Sequence, residues 1–216
     1  MTKSKGPSPL RIPRDIDPDN TIGGVRAARN FANIVSPPVI FAVLGLALSL
    51  KELPSFLGLL WAAIFGFWVS LAPILVVVFM LRTGRIHDLH MSSTGDRRIP
   101  YISSVVGSVI ALTLIALFDG PELLLCLSIF SLFVLVALAI ITRFWLISIH
   151  TASIVAAMII SGLVFGIWAA VLLIPLVAAV SYVRLYLRRH TLSQVLAGAG
   201  LGILTVWFLT LFGCFV

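Results

Sequence analysis

Apolar residues in this chain neither alternate nor form the one-sided stripe of a surface helix. They come as unbroken runs separated by short polar punctuation. The runs cover roughly 31–50, 54–81, 101–118, 123–141, 150–165, 168–187 and 192 to the end. Segments of this length, apolar all round, predict helices able to cross a hydrocarbon layer about 30 Å thick at about 1.5 Å per residue. In that medium each backbone group must bond within its own segment, which favours helices over open strands. The expected class is all-α, a polytopic transmembrane helical bundle of about seven spans. The second run is long enough to tilt, and Pro73 inside it predicts a kink. Residues 1–30, rich in proline and aspartate, read as a polar tail, and 31–216 as the transmembrane domain. Toward the end of the tail, Val25, Ala28 and Phe31 interleave with Arg26 and Arg29, which predicts a short helix on the membrane surface.

Composition agrees with this pattern. The chain is 60% hydrophobic and 11% charged, where a soluble domain carries about a quarter of its residues as charges. A net charge of +7 in a soluble protein would point to nucleic acid. Here the cations sort by topology, so membrane lipids are the expected partners and nucleic acid is not. With about seven crossings, the tail, the 82–100 loop, the 143–150 junction and the 184–194 loop share one face. That face holds fourteen of the fifteen Lys and Arg residues, leaving Lys51 alone on the other. The positive-inside rule puts the N-terminus and the cationic face in the cytoplasm. Lys3, Lys5, Arg11 and Arg14 are not followed directly by an apolar core, so a cleavable signal peptide is not expected. Cys126 and Cys214 sit inside apolar runs without metal-ligand spacing and are expected to be packing residues. The five tryptophans read as interface or packing residues.

The candidate chemistry lies at the junctions. Arg184-Leu-Tyr-Leu-Arg-Arg-His190-Thr-Leu-Ser-Gln194 is a cationic cluster between two apolar runs, and Ser148-Ile-His150 opens another run. Ionisable groups where hydrocarbon begins are costly, and two histidines with arginines suit a phosphate. Snorkelling accounts for arginines at helix ends, but less well for histidines.

These residues resemble the motifs of the type-2 phosphatidic acid phosphatases, a family of membrane lipid phosphatases. The family pattern is a Lys with six spacers before Arg-Pro, then Ser-Gly-His, then Ser-Arg with five spacers, His, three spacers and Asp. Arg184 and His190 stand at the third spacing, followed by a helix of small residues through Gly202. Ser148 and His150 match the second motif with Ile149 in place of glycine, and Arg97-Arg98-Ile-Pro100 resembles the end of the first. The chain departs from the pattern in having Gln194 at the acidic position, Val183 at the serine and no upstream lysine.

What the resemblance implies is metal-independent hydrolysis of a lipid phosphate, either a phosphatidate-like monophosphate or a polyprenyl diphosphate, with no cofactor. His190 would attack phosphorus and carry a phosphohistidine, and His150 would protonate the leaving oxygen and later activate water. Arg184, Arg98 and Arg97 would hold the phosphate oxygens, with Ser148 either donating to phosphate or capping its helix. Gln194 would receive the His190 ring N–H without supplying the charge of an acid. The alternative is a catalytically impaired relative that binds or transports a phosphorylated lipid.

Two further patterns have bland readings beside their sharper ones. His87, Asp88 and His90, with Asp96 nearby, hold too few ligands for a metal site and read as a polar loop over the candidate site. Gly198 and Gly202, four apart, mark a close helix-packing face that serves either folding within one chain or a homodimer.

Overall fold

The computed structural model describes residues 13–14, 23–85 and 98–216. Among them all regular structure is helical. A short α1 (Gly24–Ile34) meets α2 (Pro37–Glu52) at a bend of 42°. Next comes a 27-residue helix, Phe56–Arg82, built from α3 (Phe56–Gly66), a π-helical turn (Phe67–Leu71) and α4 (Ala72–Arg82). The rest of the bundle is α5 (Arg98–Leu117), α6 (Glu122–Ile141), α7 (Ile149–Phe165), α8 (Ile167–Tyr186) and α9 (Leu192–Thr210). Five helices are long and apolar enough to span a membrane, the bent α1–α2 pair would make a sixth, and α7 is a shorter apolar helix. Large side chains such as Phe56, Leu117 and Leu172 are exposed on the outside. An apolar exterior of this kind belongs in lipid, so the chain is an integral membrane protein.

The chain reverses direction across the α2–α3 and α5–α6 turns. Ser49 donates to the carbonyl of Gly58 across α2 and α3, and Ser131 donates to Ser108 across α6 and α5. A single residue, Gly166 at φ 94°, reverses the chain between α7 and α8, a backbone angle that costs little only without a Cβ. α7 is central, with residues 151–157 all buried among α2, α8 and α9.

Pro73 sits just past the π turn, within one continuous helix from Phe56 to Arg82. It lacks the N–H that would bond one turn back, and the ladder widens just ahead of it, Ala72 donating to the Phe67 carbonyl. The π turn absorbs the proline, and the helix runs on to Arg82.

At the end opposite the cationic junctions, two ties were not expected. Both carboxylate oxygens of Glu52 accept backbone N–H groups at the start of α6, from Glu122 at 2.7 Å and Leu123 at 2.9 Å. These are donors that a helix start leaves unsatisfied, and an anion there also favours the dipole. Cys126 and Cys214, expected to be packing residues, instead form a disulfide with their Cα atoms 5.6 Å apart. They are 88 residues apart in sequence, and only antiparallel packing of α6 and α9 brings them together.

Candidate functional site at the cationic end of the bundle

The α8–α9 turn is built by its own backbone. Arg188 adopts a left-handed φ of 55°, and the N–H groups of Arg189 and His190 return to the Arg184 carbonyl at 3.1 and 3.4 Å. This fold-back fixes the His190 backbone against the last turn of α8, where Arg184 is only 5% exposed. A guanidinium that remains charged is costly to bury, so its position is strongly specified by the fold.

Thr191 then starts α9 through a capping box. Its hydroxyl accepts the N–H of Gln194, and Gln194 Oε1 accepts the N–H of Thr191 at 3.0 Å. This reciprocal pair satisfies two orphan donors of the helix start. Ser148 caps α7 in the same way, its hydroxyl accepting from the N–H of Thr151 at 3.4 Å and from the Thr151 hydroxyl at 3.0 Å. Of the two roles expected for Ser148, capping is thus observed, and its own hydroxyl hydrogen is not used in either bond.

The two capped starts are locked side by side. The Ser148 N–H donates to the Gln194 carbonyl at 3.1 Å. Below that bond, Gly198 lies against the carbonyl of Ser148 and Gly202 against that of Ala152, so closely that a Cβ at either would overlap backbone. The glycine face is therefore consumed within the chain, by parallel packing of α9 on α7.

Ser148, His150, Arg184, His190 and Gln194 thus lie at one end, on three helix termini joined by backbone hydrogen bonds. His150 and His190 are half-buried, and the Nδ1 atom of each is shielded from solvent, as are Nε and Nη1 of Arg184. Arg98 opens α5, while its side chain, together with Arg97, His87, Asp88, His90 and Asp96, lies outside the described residues.

The charges divide by end. The described carboxylates, Glu52, Asp119 and Glu122, lie at the opposite end, while Arg82, Arg143, Arg184, Arg188 and Arg189 lie at this one. Parallel α7 and α9 both point their N-terminal, partially positive ends here, and Arg184 offsets the carbonyl end of α8. The end as a whole is suited to an anion.

Sequence reasoning missed the capping role of Gln194, although Thr191-Leu-Ser-Gln194 carries the capping-box signature. It also missed Arg14, whose N–H donates to the Leu187 carbonyl at 3.1 Å and whose guanidinium lies 4.8 Å from the Tyr186 ring centroid. No signal in the sequence pairs those residues. Comparison with family models, with curated proteins and with solved structures finds no match to this chain.

Proposed function

We propose that this protein is a membrane phosphatase that hydrolyses a lipid phosphate through a phosphohistidine. The observation that carries the reading is the backbone lock at the cationic end. It holds a histidine on each of two adjacent helix starts, with a buried arginine on the helix that joins them. A nucleophilic histidine and a second histidine serving first as acid and then as base, beside a fixed cation, suit a phosphoryl transfer.

In the proposed reaction a His190 ring nitrogen attacks phosphorus in line. The P–O bond to the lipid breaks, and the departing oxygen takes a proton from His150. Water, deprotonated by His150, then displaces His190 and releases inorganic phosphate. Arg184 holds the non-bridging oxygens by forked hydrogen bonds, and Arg98 and Arg97 are proposed to join it. The site faces the cytoplasm in this proposal. Support comes from the cation count at this end and from the disulfide at the other, since disulfides persist on the oxidising side of a membrane.

One observation favours the second reading, in which the chain binds or moves a phosphorylated lipid without cleaving it. Gln194 Oε1 is engaged in capping α9, and an amide brings no charge to steady a cationic imidazole. Phosphate release from phosphatidate and polyprenyl diphosphate, measured on purified protein and on His190→Ala, separates the two. A loss of at least a thousandfold in the variant, together with an acid-labile phosphoprotein in the wild type alone, is expected. Tight lipid-phosphate binding with no release by either protein would leave only the carrier.

A further inference from the structure

α1 presents three stripes. Val25 and Ala32 are buried, and Ala28 partly so, against Val183, Tyr186 and Leu187 at the end of α8. Arg26, Arg29, Asn30 and Asn33 are exposed, and their spacing of three, four and seven residues places them on one face. Ile34, 68% exposed, lies to the side. The helix therefore carries one exposed large apolar side chain, Ile34, and a cationic, hydrogen-bonding face. A 42° bend separates its axis from that of α2.

The seat of this helix is specified. Gly24 abuts the Tyr186 hydroxyl, a Cβ there standing 3.0 Å from it, and the Arg14 guanidinium lies over the same ring. No described carboxylate lies at this end to neutralise Arg26 and Arg29.

We propose that α1 is a ledge for the headgroups of anionic phospholipids in the leaflet at the cationic end, with Arg26 and Arg29 taking lipid phosphates and Asn30 and Asn33 the neighbouring oxygens. Charge complementarity selects this occupant, and the exposed Ile34 sets the depth at which headgroups are met. The ledge packs on the turn of α8 that carries Arg184, so it gathers phosphorylated lipid beside the candidate site. The proposal does not rest on the phosphatase reading, because neither arginine belongs to that site.

The test uses the full chain in nanodiscs of equal parts phosphatidylglycerol and phosphatidylcholine, with annular lipid counted by native mass spectrometry after mild detergent transfer. Each basic residue at an anionic surface is worth about fivefold in affinity. Arg26→Gln with Arg29→Gln is expected to lower the phosphatidylglycerol preference by at least tenfold, while Arg143→Gln with Arg188→Gln, equally exposed at the same end, lowers it far less. Equal losses in the two double variants, or no loss in the first, would overturn the ledge. Asn33→Cys provides a second measurement, because both native cysteines are held in the disulfide. A polarity-sensitive label there should report a headgroup environment in the wild-type background, and a fully aqueous signal would overturn the proposal by itself.

Discussion

The Oε1 atom of Gln194 accepts the Thr191 N–H and keeps a second lone pair, so capping α9 does not exhaust it. Its neutrality is what separates the two functional readings. Gln194→Glu keeps the shape and the capping box while adding a charge. It is expected to raise phosphate release at least tenfold with an unchanged melting temperature, if an unsteadied imidazolium limits the wild type. A folded Glu variant no faster than wild type would show that the amide is not limiting. Gln194→Ala, by contrast, should cost about 1 kcal/mol through the lost cap. At this scale the sequence was legible where chemistry is local: Arg184 and His190 meet because the turn between them is short. The use of Ser148 and Gln194 as caps was less plain, since it depends on where each helix begins.

At the scale of elements, apolar runs gave the helices because length and hydrophobicity suffice to define a span. What they left open was register between neighbours. The π turn ahead of Pro73 is a choice of hydrogen-bond register, made where Gly107 lets α5 approach the Trp68 carbonyl. Likewise the glycine pair of α9 announced close packing, but not its partner. The structure assigns that partner to α7, and the assignment makes a prediction. Gly198→Ala should cost about 2 kcal/mol by forcing α9 off the Ser148 carbonyl, and should lower activity more than tenfold by separating the two histidine-bearing starts. Gly200→Ala, with open space around its Cβ, is the control and should change neither. Equal effects of the two substitutions on activity would show that the backbone lock does not position the two histidines.

For the whole molecule, charge counted along the chain indicates an orientation, and the folded chain supplies a second line through the disulfide. Those two lines are independent, since one is electrostatic and the other is redox. If both hold, a membrane-impermeant thiol reagent applied to intact cells should label Lys51→Cys and spare Arg143→Cys, both positions being exposed. Labelling in the reverse order would invert the orientation and put the candidate site outside. The long-range ties were illegible in the sequence for a plain reason. Glu52 meets the start of α6, and Cys126 meets Cys214, only after the helices between them have packed. The tie between cysteines also has a mechanical meaning. α6 and α9 are rods bolted together at one tip, so they can splay only about that pivot, and the amplitude of splaying grows with distance from it. Separation of the two helices is therefore smallest at the Cys126–Cys214 end and largest toward Ile141 and Leu192, at the cationic end of the bundle.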